Sequence, residues 1–204
     1  MTVILASASP RREELLRALI DDFEVVPSGV DEPWEDDPVA NAVNLAVAKA
    51  RDVHARRPGS VVIGADTIVF DGGRPYGKPA DAEDALAMWR ALRGRQHRVV
   101  TGLAVVSDDG EWTAATLSAV ELANLDDEAV RAYVASGRPM DKAGAYAIQD
   151  EDVPTVARIE GCYCAVMGLG LWDLHRLLAA AGVATRQPSE AFARCRSACH
   201  ARVA

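Results

Sequence analysis

The sequence is short of the features that would direct it to a membrane or out of the cell. No apolar run reaches the ~20 residues that a membrane-spanning helix needs. The N-terminus also lacks the basic-then-apolar pattern of a secretory signal. We therefore expect a cytoplasmic protein without a membrane partner.

Cysteine is scarce, and basic residues are outnumbered by acidic ones. The chain has 22 Lys and Arg against 30 Asp and Glu, which gives a net charge of −8. Such a chain is a poor candidate for gripping long nucleic acid, although a few converging cations could still bind a small anion. The cysteines do not follow the common zinc-ligand spacings, and we expect reduced thiols at Cys162, Cys164, Cys195 and Cys199.

Several well-known catalytic motifs are also missing. There is no G-x-x-x-x-G-K-[ST] loop, which excludes a P-loop NTPase, and no G-x-G-x-x-G after the first strand, which argues against a dinucleotide-binding fold. Neither G-x-S-x-G nor H-E-x-x-H occurs. Any chemistry must therefore come from residues that are dispersed along the chain.

Apolar periodicity predicts strands that alternate with amphipathic helices over residues 1–182, as one domain or two closely packed lobes. Asp108-Asp109-Gly110 joins two long strand-like segments as a hairpin. A hairpin within an alternating pattern favours an α/β fold with a mixed, elongated sheet flanked by helices. We predict strands at 3–5, 23–26, 61–70, 96–107, 111–123 and 156–159 and helices after Ser9, Asp37 and Asp81 and over 127–136 and 169–181. Residues 183–204 are predicted to form a tail with room for one short helix.

The first predicted helix carries two arginines in its first turn. Ser9 fits the cap position and Pro10 the first helical position. Arg11 and Arg12 then lie beside backbone N–H groups that already make this end positive, which costs each cation roughly 0.3–1 kcal/mol. An anion docked there would reverse the interaction, with Ser7 and Ser9 as additional hydroxyl donors. The alternative is that both arginines point to solvent.

Two carboxylates offer a second kind of chemistry. Asp66 follows a continuous apolar run, 61–65, and we expect it at the rim of the sheet, where α/β proteins place ligands. Glu32 lies in an acidic loop after the second strand. Together they could hold Mg²⁺, which takes one or two carboxylates plus substrate phosphates. The structural alternatives are a turn or capping aspartate and a solvated acidic loop.

Two lysines and a glutamine complete the candidates that the residues alone suggest. Lys49 lies beside the apolar stripe of its helix, so its stem can extend from the core edge to a cleft. Lys78 is held in a loop between Gly77 and Pro79. Gln149 carries both an amide donor and an acceptor, which suits it to reading a base edge. Spacing leaves open whether each is an ordinary surface or loop residue.

An ordered set of stretches places these residues in a common setting. The set comprises LASASPRREELL (5–16), VDE (30–32), NLAVAKA (44–50), GADTIVF (64–70), GKP (77–79), HRVVTGLAV (97–105), SGRPMDKAGAYAIQ (136–149) and RIEG (158–161). In this order the chain resembles the Maf family of nucleoside triphosphate pyrophosphatases over roughly residues 3–180. The resemblance implies a mixed α/β fold with a central cleft between two lobes, and often a homodimer.

The resemblance also implies an activity: house-cleaning hydrolysis of a nucleoside triphosphate to the monophosphate and diphosphate, with a divalent cation such as Mg or Mn. At Arg12, Thr67 and Gln149 the sequence is similar to the branch of the family that acts on dTTP, UTP and modified uridine triphosphates. Whether Asp66 is base, metal ligand or both stays open. The implied catalytic set is Asp66, Glu32, Lys49 and Lys78, with Glu32 and Asp66 as metal ligands, and the substrate-binding set is Ser7, Ser9, Arg12, Thr67 and Gln149, to which the charge of Arg11 is added.

Two other functions fit the same resemblance. One is a nucleotide-binding regulator of cell division or septum formation without turnover. The other is a pyrophosphatase for 7-methyl-GTP or purine triphosphates. An intact set of acids and bases favours the enzyme, because a degenerate binder would be free to lose Asp66.

Overall fold

The structure is a computed structural model that describes residues 1–150 and 152–195. Within this part of the chain, seven strands form one sheet in the order β2-β1-β3-β5-β6-β7, with β4 paired to β3. The strands are β1 (Val3–Leu5), β2 (Glu24–Val25), β3 (Val61–Asp71), β4 (Arg74–Tyr76), β5 (Gln96–Ser107), β6 (Gly110–Leu122) and β7 (Val156–Glu160).

The sheet is mixed, as predicted. β1 runs parallel to β2 and β3, whereas β3, β5, β6 and β7 are antiparallel neighbours. The predicted hairpin is β5 and β6, paired from Ser107↔Gly110 down to Gln96↔Glu121 around a tight turn. The α/β fold with a mixed sheet and flanking helices is therefore confirmed.

One edge of β3 has a gap. β5 pairs with residues 62–70 of β3 along one side. On the other side, β1 pairs with residues 61–63 and β4 with residues 69–71. Among the strands described here, none pairs with residues 64–68 on that side. Successive side chains of a strand alternate between the two faces of the sheet. Side chains from both faces can therefore line one opening at this gap.

Helices cover both faces. α2 packs on one face against Ile4, Val62 and Ala104. On the other face, α1, α5 and α6 form a cluster that reaches Ala65, and α3 and α4 form a second cluster that includes Val69. Thr67 lies between these two apolar clusters. The helices are α1 (Pro10–Leu19), α2 (Pro38–Arg56), α3 (Ala82–Leu92), α4 (Asp127–Ala135), α5 (Tyr163–Met167), α6 (Leu171–Ala180) and α7 (Pro188–Ala191), with single 3₁₀ turns at Arg138–Asp141 and Ala143–Ala145.

Two glycines let α2 lie unusually close to the sheet. A Cβ atom at Gly64 would lie 2.0 Å from the carbonyl oxygen of Ala46, and one at Gly102 would lie 2.3 Å from that of Ala42. Neither contact is possible for a residue with a side chain. The absence of Cβ atoms at these two positions therefore sets the distance between α2 and the strands β3 and β5.

The structure differs from the sequence prediction at several places. β4 and α5 were not predicted, because a three-residue strand and a five-residue helix carry too little periodicity. The last long helix begins at Leu171 rather than at 169, since Gly168, with φ 118°, ends α5. Ser9 occupies the cap position of α1, but its side chain caps no backbone N–H group. Asp66 lies in the middle of β3, within the predicted strand 61–70, so the gap in the edge of β3, and not the end of the strand, brings it to the rim of the sheet.

The tail after α6 packs on the first helix. Arg186 donates to the carbonyl oxygens of Arg17 and Ala18, at 2.8 Å each, and to the carboxylate of Asp21. A cation at the C-terminal end of a helix is favourable, because the helix dipole is negative there. Cys195 is buried with Cys162 and Cys164, while Cys199 and the rest of 196–204 lie outside the described residues. Of the helices in the described part, none is long and apolar enough to cross a bilayer.

Candidate active site

A cavity of about 760 Å³ opens beside the gap in the edge of β3. Its walls come from the loop between β1 and α1, the start of α1, the loop before α2, one side of α2, the middle of β3, and the loops that follow β4 and α4. The lining includes every residue of the predicted set, namely Ser7, Ser9, Arg11, Arg12, Glu32, Lys49, Asp66, Thr67, Lys78 and Gln149. The structure thus brings together residues that are far apart in the chain.

Lys49 joins the two predicted carboxylates. Its Nζ atom lies 2.6 Å from Oδ1 of Asp66 and 2.5 Å from Oε1 of Glu32. Asp66 and Lys49 are both buried, whereas the Glu32 side chain is half-exposed. Lys49 reaches Asp66 because α2 lies close above Gly64, two residues before Asp66 on the same face of β3. A buried ammonium between two carboxylates satisfies charges that would otherwise be costly to bury.

The loop that carries Glu32 is tied to α2. The Asn41 side chain donates to the carbonyl oxygen of Pro33 at 3.0 Å, and Asp37 caps the helix at Val39 and Ala40. Partial burial acts to raise the pKa of Glu32, but its hydrogen bond to Lys49 and the nearby charges of Lys49, Lys78 and Arg12 outweigh it and lower that pKa. Glu32 is therefore held as a carboxylate that faces the cavity.

Arg12 lies on the opposite face of the sheet, beside Thr67. Its Nε donates to the carbonyl oxygen of Gly168 at 2.9 Å, and its two terminal nitrogens donate to Oγ of Ser7 at 3.3 Å and Oγ1 of Thr67 at 3.2 Å. Three oxygen acceptors thus hold this arginine at the positive end of α1. Burial lowers its pKa, although the charges of Asp66 and Glu32 oppose that effect.

Arg11, the other arginine of the first turn, is held by a different partner. Its guanidinium lies 3.3 Å from Asp141, which also accepts a hydrogen bond from Lys142 at 2.6 Å. Burial acts to raise the pKa of Asp141, but the bonds and charges of Lys142 and Arg11 lower it overall. Neither arginine is simply solvated, which was the alternative to anion binding.

The remaining predicted residues complete the rim and floor of the cavity. Ser7 is buried and accepts from the backbone N–H of Ser9 at 3.2 Å, which orients the turn into α1. Lys78 is exposed at the rim, close enough to Glu32 to lower its pKa. The Oε1 atom of Gln149 is buried without a hydrogen-bond partner among the described residues.

Sequence reasoning missed residues that support the set from behind. Thr101 lies opposite Thr67 in the β3–β5 ladder; their hydroxyls are 2.9 Å apart, and Thr101 donates to the carbonyl oxygen of Ala165 at 2.6 Å. Asp141 and Lys142 also line the cavity. The sequence did contain a signal for Thr101: like Thr67, it is a polar residue within an otherwise apolar strand.

The acidic residues fit a divalent cation of one particular kind. No group of three or more His, Cys, Asp or Glu residues in the described chain could hold a metal ion by itself. Glu32 and Asp66 nevertheless lie on either side of Lys49, which contacts Oε1 of the one and Oδ1 of the other. Mg²⁺ typically binds through one or two carboxylates, with substrate phosphates and water completing its shell. The donor set fits a cation that is bound together with its substrate.

Comparison with known proteins agrees with this geometry. A family model described as "Maf-like protein" matches residues 2–181. The chain is 47% identical over 193 residues to a dTTP/UTP pyrophosphatase of Thermomicrobium roseum. The matched residues cover 93% of this chain and 88% of that protein. Proteins of the same name from Thermococcus gammatolerans (45% identity, 86% and 96% covered) and Geotalea uraniireducens (48%, 84% and 91%) are also similar. The chain belongs to the Maf-like protein family.

Proposed function

We propose that the protein hydrolyses dTTP and UTP, and modified uridine triphosphates, to the monophosphate and pyrophosphate. One observation carries this proposal: the carboxylates of Glu32 and Asp66 line the same cavity as four cations. These cations are Arg11, Arg12, Lys49 and Lys78. A triphosphate needs several fixed positive charges, and its hydrolysis needs a group that orients water. The names of the relatives described above support the same assignment.

The residues divide the work of phosphoryl transfer between them. Arg12 and Lys78, with the hydroxyls of Ser7 and Ser9, bind phosphate oxygens and stabilise the charge that moves towards the leaving pyrophosphate. Lys49 occupies Oδ1 of Asp66, so we assign Oδ2 to accept the proton of the attacking water. Glu32 holds Lys49 from the other side and keeps the ammonium pointed at Asp66.

The chemistry of Gln149 supports a keto-pyrimidine base. Its buried Oε1 is an acceptor that needs a donor, and N3–H of thymine or uracil is one. The amide N–H₂ can then meet a neighbouring carbonyl oxygen of the same base. Cytosine presents the reverse pattern, an acceptor at N3 and a donor at N4, so the amide in this orientation would face acceptor with acceptor and donor with donor.

A divalent cation, Mg or Mn, belongs to this proposal. Glu32 and Asp66 would hold it with the substrate phosphates, and when bound it supplies charge neutralisation and polarisation of water. Asp66 is then a ligand as well as a base. We further propose that residues 1–182 act as one domain, and that the protein works as a homodimer in the cytoplasm.

The test is a substrate panel with Mg²⁺ in the assay. Pyrophosphate release is followed for dTTP, UTP, dCTP, ITP and 7-methyl-GTP. We expect kcat/KM for dTTP and UTP to exceed that for dCTP by at least ~10-fold, because the buried amide matches one hydrogen-bonding pattern and rejects the other. A preference for ITP or 7-methyl-GTP would contradict the proposed base. No release from any nucleotide would favour the regulator.

A further inference from the structure

The loop that presents Gln149 is held at both ends by a single hydroxyl. Oη of Tyr133 accepts the backbone N–H of Ala147 at 3.2 Å and donates to Oδ2 of Asp150 at 2.5 Å. Ala147 and Asp150 flank Gln149 on either side. Thr155 adds a second anchor, since its hydroxyl donates to the carbonyl oxygen of Ala147 at 2.6 Å.

Tyr133 is itself rigidly placed. It lies on α4 with 1% of its surface exposed, and its ring meets Trp89 of α3 edge-on at 5.8 Å between centroids. Burial, followed by the hydrogen bond to Asp150, raises the pKa of Tyr133. The hydroxyl therefore keeps its proton and can donate to Asp150 while it accepts from Ala147.

Gln149 itself shows why such an anchor matters. Its Oε1 atom is buried in the cavity wall without a partner within the described chain, so its own hydrogen bonds do not fix the amide. The place of the amide in the cavity wall then depends on the backbone that carries it. A site that reads hydrogen bonds depends on donors and acceptors being held in place by packed neighbours.

We infer that Tyr133 is a positioning residue for base selection, acting through the backbone of residues 147–150 on the amide of Gln149. This inference rests on the proposed function, in which Gln149 reads the base. Tyr133 itself does not line the cavity. Its effect should therefore fall on discrimination between bases and on KM rather than on the attack of water.

The test compares Tyr133→Phe, Gln149→Ala and the double variant by their ratio of kcat/KM for dTTP over dCTP. We expect Tyr133→Phe to lower this ratio at least ~10-fold, mainly through KM for dTTP, because a small displacement of a reading group is costly. In the Gln149→Ala background, Tyr133→Phe should cause no further loss of the ratio.

Tyr163→Phe is the matched control, since it removes a tyrosine hydroxyl on α5 that does not line the cavity. It should keep the ratio, and thermal unfolding should show all variants folded. If Gln149→Ala leaves the ratio unchanged, the base-reading role of Gln149 fails. If Gln149→Ala lowers it and Tyr133→Phe does not, or if the two losses add, the positioning inference alone is overturned.

Discussion

Lys49 is the residue on which the acidic part of the site depends. The residue is 6% exposed, and its ammonium lies between Asp66 and Glu32. Removal of either carboxylate leaves a charge that is less well compensated in a buried place. On the other face of the sheet, the charge of Arg12 likewise depends on the oxygen acceptors around it, which Gly168, Ser7 and Thr67 supply. Each cation is held ready for a ligand by oxygen atoms of the protein.

Also at the residue scale, the buried His97 predicts how the stability of the fold depends on pH. Burial lowers the pKa of His97 to about 4 from its ordinary 6.5. The unfolded chain therefore takes up a proton near pH 6.5, whereas the folded protein does so near pH 4. Between these values falling pH favours unfolding, and the loss from this one group is about 3 kcal/mol. Above pH 6.5 the group contributes no pH dependence.

Urea unfolding of wild type and His97→Asn between pH 4 and 7 measures this contribution. We expect the free energy of unfolding of the variant to be lower at pH 7, because the variant loses the buried hydrogen bond between Nε2 of His97 and the Tyr146 hydroxyl, 2.8 Å long. It should then fall less steeply with acid than that of the wild type. Parallel curves for the two proteins would show that His97 does not titrate in this way.

At the scale of elements, the packing of α2 on β3 and β5 decides the site. The helix carries Lys49, and the strand carries Asp66. The distance between them depends on Gly64 and Gly102, which have no side chain to hold the helix away. Asp66 can lie in the middle of a strand and still line the cavity, because the gap at residues 64–68 opens beside it.

We predict that Gly102→Ala costs at least ~2 kcal/mol of unfolding free energy, because the new methyl group overpacks against the backbone of α2. The shift of α2 should also separate Lys49 from Asp66 and lower kcat. Urea unfolding and pyrophosphate release check both effects. Gly29→Ala is the matched control, since nothing lies within 4 Å of its Cβ position and its stability should change little. Equal stability of the two variants would contradict this packing.

Local patterns predicted elements better than contacts. The start of α2 was predictable because Asp37 and Pro38 act within one turn, through hydrogen bonds from Val39 and Ala40. The gap beside Asp66 was not, because an apolar run does not show which residues of a strand lack a neighbour on one side. It was the family resemblance, and not a local pattern, that predicted one shared site for the candidate residues. Tyr133 gave no signal, because its role depends on a loop that only the fold brings to it.

At the scale of the whole molecule, the site lies where separate apolar clusters meet. One cluster ends at Ala65 and another includes Val69, with Thr67 between them on the same face of β3. The third, beneath α2, lies on the face of Asp66. Rigid packing on all sides therefore fixes cations and carboxylates from distant parts of the chain around one cavity. A polyanion is the ligand that such a charge arrangement serves.

The most direct test of this account is the rate of pyrophosphate release from dTTP by Asp66→Asn. Asparagine keeps the shape of the side chain but cannot take a proton from water. We expect kcat to fall at least ~100-fold while calorimetry still detects dTTP binding. Glu111→Gln, which alters a carboxylate paired with Arg51 at 2.7 Å and outside the cavity, should keep full activity. A folded Asp66→Asn protein that retains most of its kcat would contradict the account.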